Sequence, residues 1–180
     1  MAQTRDRYST IAVILHWGIA LAILAQVLLI TAHEATEGPM SREFVNVHKA
    51  LGITILLATL VRIGWRIANP PPPLPQGMKP WEKTAARAAH LGFYALLLIM
   101  PLTGWAAMSA RPRDIDFWGL FQWPLLPLTG ADDDIFMQWH EWGMKAVYVL
   151  LALHVLAALK HHFVDRDGVL RSMLPFLPRR

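Results

Sequence analysis

The sequence predicts an all-α integral membrane protein, a four-helix bundle that forms a single domain over residues 1–180. Hydrophobic residues make up 54% of the chain and charged residues only 17%, whereas soluble domains carry about 25% charged residues. Four apolar runs are each long enough to cross a bilayer, which takes about 20 helical residues. Most of the eight histidines lie within those runs or at their ends.

The four apolar runs cover approximately residues 11–32, 44–67, 87–109 and 135–163. Arg5 and Arg7 precede the first run, as basic residues precede a secretory signal. The run is longer than the roughly 7–15 residues of a signal core, and no convincing cleavage site follows it, so a membrane helix is preferred. Four consecutive prolines begin a stiff connector over residues 70–80. Pro101 predicts a kink in the third helix and a carbonyl freed one turn earlier.

The segment over residues 111–134 is rich in tryptophan, interrupted by prolines and too short to span the bilayer. We predict that it lies at the headgroup level between helices three and four. Four spans place both termini on the same side of the membrane, and the flanking charges indicate which side that is. The side with the termini holds 12 basic and 4 acidic residues, and the other side holds 5 basic and 9 acidic residues. Both termini are therefore predicted to be cytoplasmic.

The absence of cysteine narrows the possible cofactors. It excludes disulfides, iron–sulfur clusters, thiolate metal sites and the covalent attachment of c-type haem. Any metal or haem must be held by histidine, methionine or oxygen ligands. The net charge of +4 does not indicate nucleic acid, because the basic residues cluster at the ends of apolar runs.

The histidines of the fourth run define two depths in the bilayer. His154 follows His140 by 14 residues, which is about 40° short of four helical turns and about 21 Å along the axis. The two rings therefore share a face and lie near opposite sides of the hydrocarbon. His16 on the first helix is level with His154, and His48 on the second helix is level with His140.

Two level pairs that share one helix are what two haems with histidine on both axial positions require. Zinc prefers three or four converging ligands, and no third group lies at either depth. With both axial positions filled, neither iron binds a substrate, so the pattern predicts electron transfer across the bilayer. Gly18, Gly52 and Gly143 suit either a flat macrocycle or plain helix packing.

Further polar residues are candidates for secondary contacts. Haem propionates or anions are possible partners of basic residues, although interfacial anchoring explains most of them equally well; the candidates are Lys49, Lys145, Arg111 and Arg113, with Arg42, Arg62 and Arg66. Lys145 lies inside a span and requires a partner. His90 and His161 lie at the cytoplasmic rim, where a protonatable ring can serve a quinone headgroup. A solvated ring is the alternative for His161, and His90 is also an alternative axial ligand.

The residues resemble the bacterial cytochrome b561 family of four-helix dihaem membrane proteins. The likeness is carried by Ile14 to Trp17, Val47 to Gly52, His90 with Tyr94, Met100 to Trp105, His140 with Glu141, His154, Lys160 to Phe163, Asp167 to Arg171, and Met173 to Pro175. Ser172 stands where the family pattern has a second basic residue after Arg171.

The resemblance implies a location in the bacterial inner membrane and two b-type haems on His16, His48, His140 and His154. It also implies exchange with ubiquinone and, for some members, oxidation of superoxide at the outer face. Two alternatives stay open: a haem-bearing subunit of a hydrogenase-like complex, and a proton or metal transporter that relays through histidines. The catalytic residues, the electron donor and the oligomeric state are left open.

Overall fold

The computed structural model describes residues 7–174, so Arg5 and the end of the closing motif, Pro175, lie outside the described residues. Its long helices are α1 (Thr10–Glu34), α2 (Gly38–Ala68), α3 (Pro80–Ala110) and α4 (Asp133–Lys160). All four are long and apolar enough to cross a membrane, which confirms the predicted spans. All four begin before the apolar runs, and α2 and α3 do so by the widest margin, because Pro39 and Pro80 occupy the first turn, where a missing N–H costs nothing.

Hydrogen bonds at both ends fix α1 antiparallel to α2. Ser9 caps α1 by accepting from the Ala12 N–H at 3.3 Å, and the same hydroxyl accepts from the indole N–H of Trp65, near the end of α2, at 2.8 Å. At the opposite end, the Nδ1 atom of His33 lies 2.7 Å from the Ser41 hydroxyl across the short turn between the two helices.

Ion pairs at both ends likewise join α3 to α4. Lys160 contacts Glu82 at 2.8 Å, and Arg111 contacts Asp133 at 3.1 Å. The Trp17 indole donates to the Met173 carbonyl at 2.8 Å, which brings the chain after α4 back to α1. The two ends of the described chain therefore meet at one end of the bundle, called here the terminal end.

A buried apolar layer occupies the middle of the bundle. Its core residues come from all four helices: Ile19, Ile23, Ile55, Leu97 and Val147. Val147 stands seven residues from both His140 and His154, so the layer separates the two predicted histidine depths. Large apolar side chains such as Leu21, 64% exposed, and Leu153, 59% exposed, point away from this layer, as expected of helices surrounded by lipid.

A small β-hairpin occupies the segment predicted to be interfacial, where no strands were predicted. Strand β1 (Asp116–Phe117) pairs antiparallel with β2 (Phe121–Gln122). Trp118 and Gly119 make the turn with φ values of 58° and 72°, a conformation that is unusual for tryptophan. The Trp118 indole donates a hydrogen bond to Thr54 of α2 at 2.9 Å, which offsets the cost of this backbone conformation. This end of the bundle is called the hairpin end.

The chain after α4 changes helical type before it turns back. A π-helical turn spans His161–Asp165, Arg166 adopts a left-handed conformation with φ of 54°, and the short helix α5 covers Val169–Ser172. Asp167 accepts from the Val169 N–H at 2.9 Å and so starts α5. The predicted fourth span ends at residue 163, inside the π-helical turn.

Candidate functional site

His48 of α2 and His140 of α4 form a ring pair at the hairpin end. Their ring centres are 6.1 Å apart and their planes meet at 75°. The Nδ1 atom of His140 lies 2.9 Å from the Met100 carbonyl and 3.3 Å from the Thr103 hydroxyl. Because a carbonyl only accepts, Nδ1 carries the hydrogen and the Nε2 lone pair is left for a metal.

The contacts of α3 with this ring pair come from the residues beside its internal proline. Helix α3 continues through Pro101, and the carbonyl that contacts His140 belongs to Met100, the residue directly before the proline. Gly104 lies against the same ring, since a Cβ atom there would stand 3.3 Å from His140 Cε1 and 3.4 Å from its Nδ1. Gly104 was predicted only as part of the Met100 to Trp105 segment; its position one helical turn after Met100 is the signal that could have identified it.

Three histidines meet at the terminal end. The ring centre of His154 lies 6.2 Å from that of His16 and 6.1 Å from that of His90, with interplanar angles of 63° and 66°. Phe93 packs edge-on against His154 with ring centres 5.2 Å apart. The predicted pair is therefore brought together, and His90 is placed equally close.

Two arginines of α2 lie beside the terminal-end histidines. Arg62 donates to the Ala12 carbonyl at 2.9 Å, and its other amino nitrogen stands 3.4 Å from the Nδ1 atom of His16. The guanidinium of Arg66, one turn later, lies 5.9 Å from the ring centre of Tyr94 on α3. These side chains lie against neighbouring helices instead of extending away from the bundle.

The glycines singled out from the sequence make packing contacts. A Cβ atom at Gly143 would collide with the Met100 side chain, and one at Gly52 would stand 3.4 Å from the amide nitrogen of Gln26. At Gly18 no atom lies within 4 Å of such a Cβ. Close helix packing therefore explains Gly52 and Gly143 directly.

The two lysines of the hairpin end have protein partners. Lys49 donates to the Asp114 carbonyl at 2.7 Å, and Lys145 lies 4.5 Å from the ring centre of Trp142 on its own helix. Arg113 is exposed.

An acidic cluster lies beside the basic residues at this end. Of its members Asp132, Asp133 and Asp134, Asp133 forms a 3.1 Å ion pair with Arg111. The antiparallel packing of α3 on α4 brings the end of one helix to the start of the other, and separation along the chain does not reveal that.

His161 pairs with carboxylates at the terminal end. Its Nδ1 atom lies 2.7 Å from Asp167 and 3.1 Å from Asp165. Lys160 binds Asp165 as well, at 2.6 Å. His161 and His90, predicted to serve one quinone, thus have different neighbours, because His90 lies beside His154. His33, which the sequence analysis passed over, bonds to Ser41.

The histidines at each end form what is called here a histidine layer: the hairpin-end layer holds His48 and His140, and the terminal-end layer holds His16, His90 and His154. Both layers fit haem better than a bare metal ion. A metal–imidazole bond of about 2.0 Å on each side places two axial rings about 6 Å apart, close to the separations seen here. Zinc needs at least three donors. Among residues 7–174, the group of three potential ligand side chains close enough for one ion is His161 with Asp165 and Asp167, away from both layers. A four-helix membrane bundle with paired interior histidines defines the class of membrane-bound haem b proteins.

Comparison with known proteins agrees with this class. Residues 7–176 match the family described as prokaryotic cytochrome b561. The chain is 34% identical to cytochrome b561 homolog 2 of Escherichia coli over 184 residues, covering 95% of this chain and 93% of that protein. It is 26% identical over 170 residues to a probable superoxide oxidase CybB of Yersinia pestis, covering 94% and 96%. The chain belongs to the prokaryotic cytochrome b561 family, and it is a bacterial membrane protein that uses haem b in electron transfer.

A partial likeness extends to larger complexes. A probable Ni/Fe-hydrogenase B-type cytochrome subunit of Bradyrhizobium diazoefficiens is 30% identical over 92 residues, which are 50% of this chain and 36% of that protein. Family membership favours electron transfer over the histidine-based transporter that the sequence left open.

Proposed function

We propose that the chain binds two haem b groups, one at each end of the bundle. His48 and His140 are the axial ligands at the hairpin end, and His16 and His154 are those at the terminal end. The observation that carries this assignment is that α4 presents a histidine at both levels, each with a partner ring 6.1 or 6.2 Å away. Haem b supplies reversible one-electron redox chemistry when bound.

The protein residues have three tasks in this arrangement. Two histidines would hold each haem, and substrates would thereby be kept off the iron. The Met100 carbonyl orients His140 and fixes which ring nitrogen faces the metal. The buried apolar layer around Val147 keeps water and ions out of the space between the two levels. The arrangement suits electron transfer between a donor at the hairpin end and an acceptor at the terminal end.

The proposed donor is superoxide, reached from the hairpin end. The printed name of the Yersinia relative supports it, as do the exposed Arg113 and the nearby Lys49, which favour approach of a small anion. Arg111 adds little to this attraction, because its charge is already paired with Asp133. With both termini cytoplasmic, as the charge distribution predicts, the hairpin faces outward from the inner membrane.

The proposed acceptor is ubiquinone, which docks at the terminal end near His90 and His161. Quinone reduction consumes protons, and a histidine with a carboxylate partner supplies them well. His161 has such a partner in Asp167 at 2.7 Å. An alternative function is the membrane subunit of a hydrogenase-like complex, favoured by the partial likeness over half of the chain.

The function is tested with purified protein in ubiquinone-containing liposomes supplied with enzymatically generated superoxide. We expect haem reduction followed by quinol formation, and slower quinol formation in His161→Ala and His90→Ala proteins that keep normal haem content. His33→Ala is the matched control, because this ring bonds to Ser41 at the turn between α1 and α2, at the end of the bundle opposite His90 and His161. Superoxide that fails to reduce the haem contradicts the proposed donor. Normal quinol formation in both variants places the quinone elsewhere.

A further inference from the structure

Arg62 is a charged side chain in contact with a proposed axial ligand. One amino nitrogen donates to the Ala12 carbonyl at 2.9 Å, and the other lies 3.4 Å from His16 Nδ1. Within residues 7–174, no carboxylate lies within the 4.0 Å ion-pair distance of Arg62. A 3.4 Å contact is too long for a strong hydrogen bond, so the guanidinium acts mainly through its uncompensated positive charge.

The hairpin-end layer has the opposite electrostatic surroundings. His140 faces the Met100 carbonyl at 2.9 Å, and a carbonyl that accepts the Nδ1 hydrogen makes the imidazole a more basic ligand. The two nearby lysines make no hydrogen bond to His48 or His140: Lys49 donates to the Asp114 carbonyl, and Lys145 lies over the face of Trp142. One layer therefore carries a basic ligand, and the other a ligand beside a cation.

These differences act on reduction in opposite directions. Reduction removes one unit of positive charge from a haem iron, so a neighbouring cation favours the reduced form. A more basic axial imidazole favours the oxidised form instead. The guanidinium is held between α1 and α2 by its hydrogen bond to the Ala12 carbonyl, which places its charge at the terminal-end layer.

We propose that Arg62 holds the terminal-end haem at a higher reduction potential than the hairpin-end haem, which directs electrons from the hairpin end to the terminal end. The inference rests on the proposed function, since it takes His16 as an axial ligand. With haem bound at both ends, one electron would leave the group held at the hairpin end and enter the group held at the terminal end, with no bond formed or broken. Arg62 is a positioning residue in this scheme, because it acts through His16 and its charge.

Interfacial anchoring does not explain the side chain as well. An anchoring arginine extends its charge to the headgroups, whereas Arg62 is only partly exposed and bonds to a backbone carbonyl of the neighbouring helix. Arg66 provides the comparison within the same helix. Its guanidinium lies over Tyr94 at 5.9 Å and makes no hydrogen bond to His16.

The test is a potentiometric titration of the visible haem spectrum in holoprotein carrying one haem at a time. His140→Ala protein is used for the terminal-end haem and His154→Ala protein for the hairpin-end haem. In the His140→Ala protein, we expect Arg62→Gln to shift the equilibrium toward the oxidised form at least tenfold, about 59 mV for one electron. Arg62→Lys should retain most of the potential, and Arg66→Gln should shift it less than Arg62→Gln does.

The same substitutions in the two-haem protein keep the test decisive if the single-haem proteins do not fold. There, Arg62→Gln should lower the higher-potential component and leave the lower one in place. An unchanged titration in Arg62→Gln protein that still holds two haems overturns the inference, as does an equal shift in Arg66→Gln. A haem content below two in the unsubstituted protein instead contradicts the proposed function, so the two failures are distinguishable.

Discussion

Gly104 lies where any side chain presses on a proposed haem ligand, and Gly104→Ala is therefore expected to weaken haem binding at the hairpin end. The added Cβ would stand 3.3 Å from Cε1 and 3.4 Å from Nδ1 of His140. Carbon atoms in contact prefer about 3.5–4.0 Å, so the ring has to retreat by a few tenths of an ångström. That movement strains the 2.9 Å bond to the Met100 carbonyl.

The expected cost follows from the role of that hydrogen bond. Loss of a partner that orients a metal ligand lowers metal affinity by about 10–100-fold. Because the displaced ring keeps part of its hydrogen bond, we expect haem affinity to fall by about tenfold, the lower end of that range. The terminal-end haem should be unaffected, because the apolar layer around Val147 separates the two levels.

The assay measures haem loss from purified protein to an excess of a haem-binding acceptor protein, with spectra that separate the two haems. Gly92→Ala is the matched control, since its Cβ would also stand 3.3 Å from a neighbour, the flexible tip of Leu150. We expect faster loss of one haem in Gly104→Ala and normal retention in Gly92→Ala. Equal retention of both haems in the two variants would refute the argument that His140 is held by close packing.

Three further results are expected. Trp118→Phe removes the hydrogen bond that joins the hairpin to α2, which should cost about 1 kcal/mol and appear as faster hydrogen exchange confined to the hairpin. Superoxide-driven haem reduction should slow as ionic strength rises, and Arg113→Ala should slow it more than Arg111→Ala, because Arg111 is neutralised by an ion pair. His16→Ala should abolish terminal-end haem binding while His90→Ala keeps it, as measured by haem content; the reverse pattern would exchange their roles.

Helix arithmetic predicted the depth of the histidines well. The 14-residue interval between His140 and His154 places them at two levels, and the structure puts a partner ring near each. Whether these rings bind haem stays a prediction. The arithmetic gives height along an axis but not which helix faces which, so it did not place His90 as close to His154 as His16 is.

Features that depend on packing between distant segments were beyond the sequence. The hairpin relies on a left-handed Trp118 that local preferences disfavour, and its indole bond to Thr54 joins residues 64 positions apart. The Arg111–Asp133 ion pair depends on antiparallel packing of α3 and α4. Gly104 acquires its role only because Met100, one turn earlier, meets His140.

The most direct test of the account is haem content measured as the pyridine haemochrome of purified protein and of its His140→Ala and His154→Ala variants. Two haems per chain are predicted, with one remaining in each variant and with different spectra or potentials for the two survivors. A ratio of one in the unsubstituted protein, or the same surviving haem in both variants, would contradict the assignment of one haem to each end of the bundle.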